Sequence, residues 1–179
     1  FTTSNDAITF GTGTVQLSDA ADLTITSANG AVSVASVGGT TSEDITINAG
    51  TGTLAVGAIG NADEINTVTL TGSTITLSGD ITTSNAANNN VDINGAVVIS
   101  GAVDIDTDTA GTDGTIDFSS TIVGDGNNAT TDNLTIDSGG SSLTFNGTIG
   151  VAAPIAGFNV NQDGGNVALT IPQVGHASG

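Results

Sequence analysis

Apolar residues fall at alternate positions in short runs along the chain, and the runs return at a nearly fixed spacing. Leu23, Ile25, Val32, Val34 and Val37 form one unit, and Ile45, Ile47, Leu54, Val56 and Ile59 repeat it. Leu134, Ile136, Leu143, Phe145 and Ile149 align with both. Counted from the first apolar residue, the offsets are 0, 2, 9 and 11 and then 14 or 15, and a glycine closes each unit. Looser copies begin at Ile8, Val68, Val91, Ile116 and Phe158, so unit starts fall near 8, 23, 45, 68, 91, 114, 134 and 158.

Alternation over three to five residues is the period of a half-buried strand. Between the runs stand Ala28-Asn29-Gly30, Gly50-Thr51-Gly52, Gly126-Asn127-Asn128 and Ser138-Gly139-Gly140, all turn-forming. No window carries a 3.6-residue apolar stripe, so helix content is expected to be close to nil. Two architectures use such strands. In an antiparallel β-sandwich, hairpins need no constant repeat. In a solenoid, each unit is one coil, and stacking brings equivalent residues into one core column. The repeat therefore predicts an all-β fold, a parallel β-solenoid (β-helix) of about eight coils of roughly 22 residues, with the antiparallel sandwich as the alternative. Residues 1–179 read as a single β-repeat domain.

Composition narrows what such a domain can do. The chain has no Lys or Arg, 18 acidic residues, one His and a formal charge of −18. Without cations it cannot clamp phosphates, which argues against nucleic acid as a partner and against kinase or P-loop chemistry. It has no Cys for a thiol nucleophile, disulfide or thiolate metal site. No apolar run approaches the roughly 18 residues of a membrane helix, so no membrane insertion is expected. A halophile's cytosolic protein would be crowded with acid, whereas only 10% of this chain is charged. A surface of Thr, Ser, Asn and Gly without trypsin sites suits an extracellular material better. The chain opens on Phe1 and lacks a signal-peptide pattern, so it is expected to be a mature or excised segment of a longer surface protein.

The segments Gly114 to Gly124, Leu134 to Gly140 and Leu143 to Gly150 resemble the β-strand repeats of giant bacterial surface proteins. These are the filamentous-haemagglutinin-like and autotransporter-type adhesins. The resemblance extends over roughly residues 20 to 170. It implies a parallel β-helix at the bacterial surface and brings no catalytic residues.

The most conspicuous local feature is Asp104, Asp106 and Asp108, with Asp113 following. An EF-hand would need Gly at loop position 6 and Glu at position 12, where this chain has Thr109 and Thr115. On a strand, alternation places Asp104, Asp106 and Asp108 on one solvated face. Three like charges without a cation would be relieved by a hard divalent ion, so Asp104, Asp106, Asp108 and Asp113 are candidate Ca²⁺ ligands. Asp163-Gly164-Gly165-Asn166 reads as a turn, and Gly11 to Gly13 and Gly50 to Gly52 lack the lysine of a phosphate loop. His176 sits in a terminal tail and makes a poor triad member. Carboxylate pairs suited to glycoside hydrolysis are available, but sugar clefts stack rings on Trp or Tyr, and the chain has neither. Asn128, Asn133 and Asn146 head glycosylation-type triplets of the kind a chain rich in Asn and Thr produces by chance. The five Phe, at positions 1, 10, 118, 145 and 158, sit mostly in apolar columns, so core packing is their expected role.

The expectation is a non-enzymatic extracellular structural protein at a bacterial cell surface or matrix. It would serve as a rod or filament subunit or adhesin stalk, associating with itself head to tail through strand edges. The rival is a Ca²⁺- or carbohydrate-binding adhesin module, with cell-surface glycans or matrix as partners.

Overall fold

The computed structural model describes residues 1–40, 42–60, 65–83, 89–108, 113–127, 131–162 and 169–175. Val167, His176, the Asp163-to-Asn166 turn and Asn128 lie outside them. Every strand pairing among the described residues is parallel, and no helix occurs there. The chain winds as a β-solenoid of about six turns.

Each turn crosses three sheet faces. On the first, Leu23, Ile45, Val68, Val91, Ile116 and Leu143 stack in one column. Ile25, Ile47, Leu70, Ile93, Phe118 and Phe145 stack in the next. On the second, Ile8, Val32, Leu54, Ile75, Val97, Ile122 and Ile149 line up. On the third, Val15, Val37, Ile59, Ile81, Ile105, Ile136 and Val160 do the same. Parallel ladders hold residues about 4.8 Å above their counterparts. A column therefore fills well only with side chains of similar shape, and β-branched residues fit that role. From Leu23 to Ile149 these column residues are almost completely buried and form one continuous core.

The turn count differs from the eight unit starts read in the sequence for an identifiable reason. Leu134 and Ile136 do not stack with Leu23 and Ile25. They pair with Val103 and Ile105 below and with Phe158 and Val160 above, on the third face. Ile8 and Phe10 belong to the second face. The offset of 9 separates Leu134 on the third face from Leu143 on the first just as it separates Leu23 on the first from Val32 on the second, so equal spacing does not identify the face.

Coils also lengthen along the chain. Leu23 sits under Ile45, 22 residues on, whereas Ile116 sits under Leu143, 27 residues on. The added residues fall at the corner between the second and third faces, which is tight at Val34 to Ser36 and widens to the segment after Gly124. In the earlier coils glycines stack at the corner between the first and second faces and keep it tight. A Cβ on Gly52 would strike the carbonyl of Gly30, and one on Gly95 would strike that of Gly72.

Of the five phenylalanines, Phe118 and Phe145 fill the core with rings stacked 5.3 Å apart, and Phe158 meets Phe145 edge-on at 5.6 Å. Phe1 departs from the expected core role. It is 68% exposed, resting edge-on against the half-buried Phe10.

Leu70→Ala, in a mid-stack column, should cost about 2–5 kcal/mol in denaturant unfolding, because coils above and below cannot collapse into the gap. Val160→Ala, in the half-buried last third-face strand, should cost clearly less. Equal losses would contradict a core that is continuous along the stack.

Candidate functional site

In-register stacking that aligns apolar residues inside the solenoid also aligns the polar residues outside it. On the first face the outward row runs Thr24, Thr46, Thr69, Asp92, Asp117 and Thr144. Asp92 thus lies directly beside Asp117. Partial burial first, and then the Asp117 carboxylate, raise the Asp92 carboxyl above the ordinary aspartate range. Asp117 is relieved from the other side, where Asn146 Nδ2 donates to its Oδ1 at 3.0 Å.

The third face carries the larger acidic group. Asp104 and Asp106 point outward from the strand Ala102–Asp106, with Asp106 stacked between Thr82 and Asp137. Asp80 Oδ1 accepts the Asp104 N–H at 2.9 Å. Burial, followed by the Asp106, Asp80 and Asp137 carboxylates, raises the Asp104 carboxyl. Asn161 Nδ2 donates to Asp137 Oδ2 at 2.7 Å and caps the row.

Of the four candidate Ca²⁺ ligands, Asp104 and Asp106 therefore share a face. Asp108 does not, because the strand ends at Asp106 and the chain turns. The Asp108 N–H donates back to Asp106 Oδ1 at 2.8 Å. Asp113 belongs to another contact altogether. Its Oδ2 accepts the Gly140 N–H at 2.5 Å, and its carbonyl accepts the Ser141 hydroxyl at 2.7 Å, pinning the turn of the next coil. Among the described residues no three His, Asp or Glu side chains are grouped as ligands of one metal ion.

Two acids that sequence reasoning passed over are the buried ones. Glu43 is fully buried where the third face turns back to the first. Its carboxylate accepts backbone N–H groups from Thr40 at 2.7 Å, Ser42 at 3.1 Å and Ala20 of the preceding coil at 3.2 Å, and also the Thr40 hydroxyl. Asp132, 1% exposed, accepts the Gly101 N–H at 3.1 Å and the Asp125 N–H at 2.9 Å. Each acts as a corner clamp, satisfying backbone donors that the turn would otherwise leave buried and unpaired. At the same corner as Glu43 in later coils, Asn89 Nδ2 donates to the Thr107 carbonyl and Thr107 Oγ1 to that of Gly114, at 2.9 and 2.8 Å. The local signal for Glu43 was Thr40-Thr41-Ser42-Glu43, a cluster of short donors beside an acid, which also fits any exposed turn.

Two concavities are apolar or neutral. One is bounded by Ile149, Pro154, Ile155, Phe158 and Val174, the other by Ser33, Val34, Ala55, Val56 and Ser78. No carboxylate lines either. The acids described above stand on sheet faces or close corners, where they can shape the fold and the surface charge.

No family model, curated protein or solved structure matches the chain.

Two substitutions should move stability in opposite directions. Asp104→Asn removes a carboxylate that is less favourable ionised in the fold than in the unfolded chain. It should stabilise at neutral pH by about 0.2–1 kcal/mol, a range set by screening at the surface. Because the folded carboxyl titrates above 3.8, the gain should shrink as pH falls through the raised value and vanish below 3.8, where both states are neutral. Asp132→Asn leaves one acceptor oxygen for two N–H groups and should cost about 1–3 kcal/mol. Melting curves of both variants from pH 3 to 8 check the pair.

Proposed function

We propose that the chain is a non-enzymatic structural segment of a bacterial cell-surface or matrix protein, a rod or filament subunit or adhesin stalk that associates with itself through strand edges. The observation that carries this reading is the continuity of the parallel ladders through the whole stack. A solenoid transmits tension through backbone hydrogen bonds repeated at every coil, and each coil depends only on its neighbours. The surface fits the same role, since it is polar and devoid of trypsin sites. It resembles the repeats of filamentous-haemagglutinin-like and autotransporter-type adhesins, whose setting is the cell exterior.

Self-association follows from the edges. Among the described residues, Ile8–Gln16 pairs only with Val32–Gly38, and Gly157–Asn161 pairs only with Asn133–Asp137. Ile8, Phe10, Val15, Phe158 and Val160 are only partly buried there. Such an edge accepts a further strand, and addition at both ends is head-to-tail and propagates. Within a longer protein the next coils occupy the same edges, and the segment is then an internal length of stalk.

A charge of −18 opposes end-to-end addition until it is screened. Sedimentation velocity across a salt series, with and without Ca²⁺, should show larger species as ionic strength rises, and micrographs of those fractions should show filaments. A monomer at every salt concentration would defeat the filament and leave the stalk. A shift seen with Ca²⁺ but not with matched ionic strength of monovalent salt would favour the calcium-binding module instead.

A further inference from the structure

Five pairs of Asn or Asp followed by Gly lie within the described residues: Asn29–Gly30, Asn94–Gly95, Asn146–Gly147, Asp113–Gly114 and Asp125–Gly126. In such a pair no side chain shields the glycine nitrogen, which can attack the preceding Cγ if its N–H is free. In three of the pairs it is engaged. Gly30 donates to Ser27 Oγ at 2.9 Å, Gly95 to Ser119 Oγ at 3.1 Å and Gly114 to the Thr107 carbonyl at 3.3 Å. In Asp125–Gly126 the electrophile is poor, because the Asn127 N–H beside the carboxylate holds it ionised, below the ordinary aspartate range. Gly147 differs from all four. It lies outside any strand, and its N–H donates to no atom of the described residues. Asn146 before it is solvent-exposed and carries a neutral amide as electrophile.

We propose that Asn146–Gly147 is a spontaneous deamidation site whose conversion loosens the C-terminal coils. The Gly147 nitrogen forms a bond to Asn146 Cγ, and its proton passes through water to the departing Nδ2. The Cγ–Nδ2 bond breaks and ammonia leaves, closing a succinimide. Water then opens either ring carbonyl, giving aspartate or isoaspartate.

Both products damage this position for reasons visible in the contacts. Asn146 Nδ2 ties two coils together, donating to Asp117 Oδ1 at 3.0 Å and to the Phe118 carbonyl at 3.3 Å. Aspartate puts a second carboxylate against Asp117 and an acceptor against a carbonyl, in a chain with no Lys or Arg to compensate. Isoaspartate also lengthens the backbone by one carbon. The connection from Leu143–Phe145 to Ile149 has no slack to absorb it, since Gly147 already lies against the backbone of Ser120 and Thr121. Ile149 bridges Ile122 below and Val174 above, so its displacement uncouples the last coil from the stack.

The test is ageing of the intact chain at mildly alkaline pH, with peptide mapping by mass spectrometry after a digest that does not need Lys or Arg. Asn146 should convert about two- to tenfold faster than Asn29 and Asn94, the factor expected for one intact hydrogen bond on the attacking nitrogen. The aged chain and Asn146→Asp should both exchange the Asn146 and Ile149 amides faster than fresh protein. Conversion of Asn29 or Asn94 as fast as Asn146 would overturn the site. Unchanged exchange at Ile149 in fully converted protein would overturn its effect on the coils.

Discussion

Parallel pairing of each coil with the next in fixed register is the constraint from which the rest follows. A one-residue slip would turn every inward side chain outward, so the register is held by all the columns at once. That rule leaves little freedom of composition. Inside, Ile stacks on Ile and Val on Leu because a neighbouring coil presents the same cross-section a few ångströms away. Outside, the same rule makes Asp92 the neighbour of Asp117 and Asp106 the neighbour of Asp137. The raised carboxyls of Asp92 and Asp104 are thus a consequence of the architecture. Asn146 and Asn161 each donate an amide into these rows and take part of the repulsion that Lys would take in another protein.

Corners obey a different economy from faces. A face must be nearly identical from coil to coil, whereas a corner must only turn the chain and leave no backbone group stranded. Between the first and second faces this is achieved by removing side chains, with Gly52 and Gly95 each pressed against the glycine carbonyl of the preceding coil. Elsewhere buried acids and amides do it by accepting or donating to the turn: Glu43, Asn89 and Asp132. Buried carboxylates are ordinarily costly. Here each meets two or more backbone N–H groups, which is the condition under which such burial is tolerated.

The fold was legible because period-two alternation and a recurrent spacing both survive in the sequence without any alignment. Strand content, parallel stacking and the identity of most core columns could be read from Leu23, Ile45, Val68 and their partners. The coil boundaries could not. Neighbouring faces carry the same apolar–polar–apolar triplet, so Leu134-Thr135-Ile136 looks identical to Leu23-Thr24-Ile25 although it lies on another face. The candidate acidic site was half legible for a related reason. Alternation placed Asp104 and Asp106 correctly, but no feature of the sequence marked the strand end after Asp106, so Asp108 and Asp113 were grouped with residues they do not join. Glu43 and Asp132 escaped notice because burial of an acid at a turn depends on which coil lies beneath it, a property of the stack rather than of the local residues.

A stack governed by nearest neighbours also distributes its weaknesses. Each interior coil is stabilised on two sides, while a terminal coil is held on one, and the longer corners after Gly124 and Gly150 fall in that less supported part. Inter-coil side-chain bonds such as Asn146 to Asp117 and Gln162 to Ser138 and Ser141 sit at this end. They add polar cross-ties where the apolar columns give way to half-buried Ile155, Phe158 and Val160. Ties of the same kind join the earlier coils, where Asn29 donates to Asn5, Thr51 to Asn29 and Asn66 to Asp44, so amide and hydroxyl links accompany the hydrophobic columns along the stack. What sets Asn146 apart is its place, three residues before Ile149, the last fully buried residue of the second-face column.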